Sequence, residues 1–413
     1  MIEATTKTVL ITGAASGIGR AAAHRFALAG WRCMLVDLNG AALEGLVARL
    51  PVAGDAAHIV RVADLTRPDQ IAALAMGAPV LDAIVNNAGM SDSSNVPLVE
   101  QDAAQFARLV ALNLDAPARV FATFARSLRP GTRIVNVASG AGLHAIPWRG
   151  AYSPSKAGLI AQSQTLAQVR SDLCVTALCP GFVRTELVET LIEAGRLDPA
   201  RAVAKTPLGR MANPAELAEA LYFLARDGAV PLNGQALSVD GGSSVYGGSA
   251  ACAPAAIEPV PLDTSLELDV VDDAVRRWAN AARAQEGAAY RSTLDASVLD
   301  AAPGQRLAAL HTAAARFASE HRRQASLTLL LPSPSASTDP AKTDWRAAGD
   351  SAAARMLVST LACEWGASGL RINAIEVSPQ AGEAEAASLM PLVHFVAGAS
   401  AQFLTGQTLR TAV

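Results

Sequence analysis

The first 240 residues predict a doubly wound parallel α/β sheet. Short apolar runs alternate with longer amphipathic stretches, and a glycine-rich turn follows the first apolar run directly. Runs that are apolar throughout are typical of strands covered by helices on both faces of a parallel sheet. The predicted strands span residues 8–12, 33–37, 58–62, 81–86, 133–139, 173–179 and 236–240.

Length, charge and cysteine usage limit the classes of protein to consider. The 413 residues exceed one ordinary domain, so we expect two. The formal net charge is −3 and Lys and Arg are dispersed, which argues against a nucleic-acid partner. The five cysteines lack metal-ligand spacing, so we expect no metal site and free thiols in a reducing compartment. The first apolar run is too short for a signal peptide or a membrane span, which predicts a cytoplasmic protein without a membrane partner.

The turn after the first strand predicts a dinucleotide site of the Rossmann type. Gly13, Gly17 and Gly19 lead into a helix that is expected to start near Ile18. Glycines at these positions let the backbone approach a pyrophosphate, which the positive end of the helix would hold. Because the turn follows a strand and precedes a helix, this prediction is stronger than a glycine motif alone.

The end of the second strand predicts the choice of dinucleotide. Asp37 stands where a carboxylate accepts hydrogen bonds from the adenosine ribose, and a 2′-phosphate there would meet a like charge. Leu38 follows it and Ser16 precedes the second glycine, so neither position is basic. NAD is therefore predicted rather than NADP. The alternative is that Asp37 only caps the next helix.

Four side chains form a candidate catalytic set. Tyr152 and Lys156 are expected one helical turn apart on one face, where the ammonium would favour the phenolate form of the tyrosine. Ser139 ends the fifth strand and could hydrogen-bond a substrate oxygen as charge develops on it. Asn113 lies within a predicted continuous helix over residues 103–128, although Asn is a poor helix former.

Together with residues 12–19, 86–89 and 180–181, this set resembles the short-chain dehydrogenase/reductase family over about residues 5 to 245. The resemblance implies that the tyrosine is the acid/base, that the lysine also binds the nicotinamide ribose, that the serine orients the substrate oxygen and that the asparagine holds a proton-relay water. It further implies cofactor contacts from Asp64, Leu65, Asn86, Ala88, Gly89, Pro180, Gly181, Val183 and Thr185.

The substrate pocket is the part that the sequence specifies least. Residues 186–212, which glycines and prolines interrupt, are expected to form a lid over it. The pocket itself is expected to be mostly apolar, which does not identify a substrate. Its candidate residues are Met90, Gly140, His144, Trp148 and Phe182.

The second half predicts a partial Rossmann-like domain. Residues 1–246 complete the first domain, and residues 247–262 read as a linker rich in glycine, alanine and proline. Residues 263–413 resemble the last helices and strands of the first half, with Ala347 and Ser351 in place of the tyrosine and the lysine. We therefore expect a truncated, non-catalytic domain that acts as a built-in dimerisation partner, and homodimers of whole chains. The alternative is a degenerate fusion kept for solubility or stability.

The combined observations predict an NAD-dependent oxidoreductase that interconverts a secondary alcohol and a ketone. One alternative is a 3-oxoacyl-thioester reductase, which would need a basic patch for a carrier or coenzyme A. Its candidates are Arg184, Arg196, Arg201, Lys205 and Arg210. Another alternative, from a different class, is a non-catalytic NAD-binding scaffold or sensor. The complete catalytic set argues against that alternative, because a protein without turnover has no need for all four residues.

Overall fold

The structure is a computed structural model that describes residues 6–52, 57–92, 96–195, 197–271, 277–284, 287–302, 304–333 and 345–411. Contacts between residues divide the chain into two compact units. The first unit comprises Met1–Asp198, Ala212–Asp227 and Asn233–Ser238. The second unit comprises Pro199–Met211, Gly228–Leu232 and Val239–Val413.

The larger sheet has seven strands in the order β3-β2-β1-β4-β5-β6-β7. All seven predicted strands are present, each within two residues of its predicted ends, and the fold-class prediction is confirmed. The described pairings from β3 through to β6 are parallel, and β1 and β5 are buried along their whole length. The strands are β1 Thr8–Thr12, β2 Arg32–Asp37, β3 Ile59–Val62, β4 Ala83–Asn86, β5 Arg133–Val137, β6 Cys174–Pro180 and β7 Ala236–Val239.

Helices cover the sheet and bury an aliphatic core. Leu10, Val36 and Ile84 from three central strands pack with Val120 and Phe124 from one covering helix, and all five are at most 1% exposed. The helices of the first unit are α1 Gly17–Leu28, α2 Gly40–Val47, α3 Pro68–Ala73, α4 Ala103–Val110, α5 Ala116–Phe124, α6 Tyr152–Val169, α7 Glu186–Glu193 and α9 Pro214–Leu224. The strand ends therefore meet helix starts along one edge of the sheet, where dinucleotides bind in such folds.

The predicted continuous helix over residues 103–128 is wrong in one respect. A π-helical turn, Ala111–Asp115, separates α4 from α5 and contains Asn113. The side chain of Asn113 is buried and hydrogen-bonds the backbone of Met90. The π turn accommodates these hydrogen bonds. Widened turns of this kind are frequent at functional sites.

The second unit contains a five-stranded parallel sheet in the order β12-β11-β10-β9-β8. Strands near β10, β11 and β12 were predicted from the sequence, but β8 and β9 were not. The charged residues Glu267, Asp269 and Arg291 interrupt the apolar pattern of these two strands. The elements are α8 Pro199–Val203, β8 Leu266–Val271, β9 Tyr290–Asp295, α10 Arg306–Glu320, β10 Ala325–Pro332, α11 Trp345–Trp365, β11 Leu370–Val377, α12 Glu383–Ala397 and β12 Thr408–Arg410. Residues 247–262 contain no helix or strand.

A buried arginine ties β11 to the end of α12. The guanidinium of Arg371 is 1% exposed and donates to the carbonyl oxygens of Val396, Ala397, Gly398, Ala401 and Leu404 at 2.9–3.1 Å, and to the Tyr290 hydroxyl at 2.9 Å. Because every N–H of the guanidinium has an acceptor, the charge is buried without an unsatisfied donor. This network holds β11, the end of α12 and the residues that follow α12 together.

Candidate active site

The turn after β1 is built for close backbone approach. Gly13 and Gly17 have φ of +64° and +52°, which L side chains rarely adopt. A Cβ atom on Gly13 would lie 2.8 Å from the Cα of Ala88, and one on Gly19 would lie 2.6 Å from Nδ2 of Asn87. The glycines therefore let the start of α1 pack directly against the end of β4.

The N-terminus of α1 already binds a negative charge. The backbone N–H of Gly17 donates to Oε2 of Glu186 at 2.9 Å, and the same carboxylate pairs with Arg20. Ser16 is the N-cap residue, but its side chain makes no capping hydrogen bond. Burial acts to raise the pKa of Glu186, but backbone hydrogen bonds, including that from Gly17, and the charge of Arg20 outweigh it and lower the pKa. The carboxylate occupies the position of the anion that this helix N-terminus favours. This contact was not predicted from the sequence.

Asp37 connects the end of β2 to the glycine turn. Its Oδ2 accepts from the N–H of Ala15 at 3.0 Å, and its Oδ1 accepts from the N–H of Asn39 at 3.0 Å. The cap of α2 is Asn39, whose side chain accepts from the N–H of Ala42. The alternative role of Asp37 as that cap is therefore wrong. Leu38 beside it is 62% exposed, so its side chain offers an apolar surface against which a ring of a ligand can pack.

Asp64 and Leu65, shortly after β3, differ in their surroundings. Asp64 accepts from the N–H of Thr66 at 2.9 Å and from its hydroxyl at 2.7 Å, and these hydrogen bonds hold the pKa of Asp64 below its ordinary value. Leu65 is 6% exposed and belongs to the hydrophobic core. Of this predicted adenine-side pair, Asp64 is therefore the more exposed residue.

The end of β4 is fixed by side-chain hydrogen bonds. The hydroxyl of Thr12 accepts from the N–H groups of Asn87 and Ala88 at 3.0 Å each, and the Asn87 amide donates back to the Thr12 carbonyl at 3.0 Å. Asn86 is buried and donates to Oδ1 of Asn136 at 2.8 Å. Asn136, on β5, was missed by the sequence analysis, although an Asn within an apolar strand is a signal that could have revealed it.

Asn113 and Lys156 converge beside Gly89. Asn113 donates to the carbonyl of Met90 at 2.9 Å and to Oγ of Ser155 at 3.2 Å. A Cβ atom on Gly89 would lie 3.2 Å from Oδ1 of Asn113 and 3.3 Å from Nζ of Lys156. The predicted relay residues are thus brought together from a π turn, α6 and the loop after β4.

Tyr152 and Ser139 complete the set. Burial raises the pKa of Tyr152, while a hydrogen bond with Ser139 and the charge of Arg149 act to lower it. Nζ of Lys156 lies 5.9 Å from the centroid of the Tyr152 ring and donates to the carbonyl of Val137 at 2.8 Å. Burial lowers the pKa of Lys156 to about 8. Burial is the largest effect on the pKa of both groups, and the favouring of the phenolate by the lysine charge stays a prediction.

The turn after β6 approaches the loop after β5. A Cβ atom on Gly140 would lie 3.6 Å from the carbonyl oxygen of Pro180, the last residue of β6. Gly181 and Phe182 follow and are partly buried, and the Phe182 carbonyl accepts from the N–H of Ala212 at 2.8 Å. The predicted nicotinamide side of the site is thereby adjacent to the loop that carries Ser139.

Val183 and Thr185 lie between this turn and α7. Val183 is buried and forms an isolated parallel bridge with Ala212. Thr185 is the N-cap of α7, and its hydroxyl accepts from the N–H of Val188 at 3.3 Å. A Cβ atom on Gly17 would lie 3.0 Å from Cγ2 of Thr185, so the start of α7 is beside the start of α1.

The predicted substrate residues differ in their exposure. Met90 is partly buried, and His144 is exposed in the loop between β5 and α6. Leu143, Ile146 and Trp148 in this loop are 42%, 43% and 54% exposed. Trp148 has φ of +63°, one of two such non-glycine residues among those described. The apolar substrate pocket stays a prediction.

Neither a metal-ligand cluster nor a membrane-spanning helix occurs in the part of the chain that the structure describes. There, no group of three or more His, Cys, Asp or Glu side chains is arranged to hold a metal ion. No helix among the same residues is both long enough and apolar enough to cross a bilayer.

Comparison with known proteins supplies the family context. Residues 13–244 match the family model described as "Enoyl-(Acyl carrier protein) reductase". The chain is 38% identical to the uncharacterised short-chain type dehydrogenase/reductase y4vI of Sinorhizobium fredii, over 57% of this chain and 43% of that protein. It is 34% identical to 3beta-hydroxysteroid dehydrogenase 2 of Eggerthella lenta, over 58% of this chain and 95% of that one. Among solved structures it resembles levodione reductase, with a TM-score of 0.55 and 29% identity over 58% of this chain and 98% of that chain.

Proposed function

This chain belongs to the short-chain dehydrogenase/reductase family, and on that premise we propose that it is an NAD-dependent oxidoreductase interconverting a secondary alcohol and a ketone. Members of the family act on CH–OH or carbonyl groups with NAD(P). The observation that supports the proposal most is the convergence of Asn113, Ser139, Tyr152 and Lys156 beside a glycine turn that accommodates a dinucleotide. The turn fits such a group because its glycines leave no room for side chains and its helix end already holds an anion.

Each residue of the tetrad has a task that its position allows. A bound dinucleotide supplies or accepts the hydride. Tyr152 exchanges the proton of the substrate hydroxyl, and Ser139, which hydrogen-bonds it, steadies the substrate oxygen as charge develops. Lys156 and Asn113, both near Gly89, carry the proton onward toward solvent. Because burial raises the pKa of Tyr152, the phenol holds its proton firmly until a positive charge lies beside it.

The proposed preference for NAD rests on Asp37. Its carboxylate is held at the end of β2 by the N–H groups of Ala15 and Asn39, next to the glycine turn. A 2′-phosphate at this place would be repelled by the carboxylate, whereas a ribose hydroxyl would donate to it. The affinity ratio for NAD over NADP, and its loss in Asp37→Ser, tests this part of the proposal.

The experiment that tests the function compares the full chain with Tyr152→Phe. NAD reduction is followed optically with a panel of secondary alcohols, hydroxysteroids, polyols and 3-hydroxyacyl thioesters. We expect turnover that disappears in the variant while NAD binding is retained, because the ring remains and only the proton-carrying hydroxyl is removed. Bound NAD without turnover of any panel member would favour a sensor or scaffold instead.

The thioester reductase alternative gains no support from the described lid charges. Arg184 pairs with Glu189 at 2.7 Å, and the guanidinium of Arg210 lies 4.8 Å from the centroid of the Phe403 ring. Arg201 has an interaction partner, and Arg196 lies outside the described residues. Turnover of 3-hydroxyacyl thioesters in preference to simple alcohols would favour the thioester reductase alternative instead.

We further propose that residues 263–413 are a truncated, non-catalytic copy that serves as a dimerisation partner within the chain, and that whole chains form homodimers. Their consecutive parallel strands, β8 to β12, support a partial Rossmann-like domain. Ser351 replaces the lysine and accepts from Arg306, while the buried Glu376 pairs with Arg355 and Arg410 at the end of β11. Complete loss of turnover in Tyr152→Phe and a dimeric mass in sedimentation equilibrium are expected.

The proposed cytoplasmic location rests on the thiols. The five cysteines are free, and Cys33, Cys174 and Cys179 are buried. Burial raises the pKa of Cys33 to about 12, which makes its thiolate scarce at neutral pH. Such thiols suit a reducing compartment, and fractionation of cells that express the full chain tests the proposal.

A further inference from the structure

The positive charge of Arg149 acts on Tyr152 in the candidate site. It lies three residues before Tyr152, in the loop between β5 and α6, and is partly buried. Nη1 of Arg149 donates to the backbone carbonyl of Asp92 at 3.2 Å. Among the residues that the structure describes, no carboxylate forms an ion pair with it, and its Nε and Nη2 donate no hydrogen bond. The guanidinium thus lies beside Asp92, two residues after Met90, which hydrogen-bonds Asn113 of the candidate site, and most of its donors are unused among the described residues.

The loop holds this charge in a defined place. Gln101 donates to Oδ2 of the fully buried Asp92 at 2.7 Å, and a Cβ atom on Gly150 would lie 2.6 Å from Cδ of Gln101. The N–H of Tyr152 donates to the carbonyl of Arg149 at 3.0 Å. The position of the cation relative to the reacting hydroxyl is therefore set by backbone and buried side-chain contacts.

The loop that carries Arg149 also exposes apolar side chains. Leu143, Ile146 and Trp148 belong to the same loop, and each is more than 40% exposed. Trp148 adopts a left-handed φ of +63°, which is costly for a bulky residue and is found mainly where a function requires it. Exposed apolar groups clustered near polar reacting groups are typical of a ligand site.

We propose that Arg149 is a specificity-determining residue that binds a carboxylate on the substrate. The substrate class is then an apolar secondary alcohol, or its ketone, that carries an anionic group at some distance from the reacting carbon. A guanidinium in apolar surroundings binds a carboxylate through two parallel hydrogen bonds and prefers it to a neutral group. This inference rests on the proposed function for the identity of the reacting group, but not for the binding of the anion.

A binding experiment separates the inference about Arg149 from the proposed function. The full chain saturated with NAD is titrated calorimetrically with cyclohexanecarboxylate and with cyclohexanecarboxamide, which share an apolar ring and lack a reactive hydroxyl. Wild type is expected to prefer the carboxylate. Arg149→Met should weaken carboxylate binding about 10- to 100-fold while leaving the carboxamide unchanged, and Arg149→Lys should restore part of the preference.

The matched control is Arg119→Met, which removes an exposed arginine from α5 and should not alter the preference. Equal binding of the two probes by wild type, including measurable binding of neither, overturns the inference, as does an Arg149→Met variant that keeps the preference. Because the probes are not turned over, absence of alcohol oxidation would contradict the proposed function alone.

Discussion

Replacing Glu186 by Gln tests whether its carboxylate competes with the dinucleotide. In the structure this carboxylate accepts from the N–H of Gly17 at 2.9 Å and pairs with Arg20. A pyrophosphate bound at the same helix end must displace it and would also be repelled by it. Glu186→Gln keeps the shape of the side chain and removes its charge. We therefore expect the variant to bind NAD more tightly than wild type.

The magnitude follows from the two contacts. A hydrogen bond to a charged acceptor contributes about 1.5–3 kcal/mol when well shielded. The side chain of Glu186 is 50% exposed, so solvent screening reduces this value, and the exposed pair with Arg20 contributes about 0–1 kcal/mol. A net gain of about 1 kcal/mol corresponds to roughly fivefold tighter binding.

Isothermal titration with NAD measures the change directly. Glu189→Gln is the matched control, because Glu189 lies on the same helix, pairs with Arg184 instead and makes no contact with the glycine turn. It should bind NAD as wild type does. Unchanged or weaker affinity in Glu186→Gln, or an equal gain in both variants, would refute the competition.

Three other substitutions have defined outcomes. Lys156→Met should abolish turnover yet raise the free energy of unfolding at pH 7 by on the order of 2 kcal/mol, because the folded protein binds the lysine proton less tightly than the unfolded chain. For the same reason wild-type stability should rise between pH 8 and 10.5, and the variant should lack this rise in urea unfolding. Gly19→Ala should lose NAD binding in the same titration and lower the melting temperature, since its Cβ would overlap the Gly13 carbonyl. Arg371→Met should lower the free energy of unfolding by about 3 kcal/mol or more, because buried carbonyl oxygens lose their donor; a loss below about 1 kcal/mol would contradict this account of the network.

The first half of the chain was predictable because its patterns are local. Apolar runs such as β1 and the spacing of Tyr152 and Lys156 depend only on neighbours in sequence, so the seven strands and the helix that carries the pair were foreseen. The backbone path around Asn113 was not foreseen, because the π turn depends on hydrogen bonds to Met90 and Ser155, which are distant in sequence. In the second unit, charged residues on β8 and β9 concealed two strands.

The sequence by itself determined the fold class of the first unit, the order of the candidate catalytic residues and the glycine turn. These follow from residue type, spacing and order, which the chain carries before it folds. Only the tertiary structure decided that Glu186 meets the N-terminus of α1, that burial shifts the pKa values of Tyr152 and Lys156, and that the Arg149 guanidinium donates to the Asp92 carbonyl. Electrostatic interactions and desolvation depend on distance and surroundings in space, and residues far apart in the chain supply both.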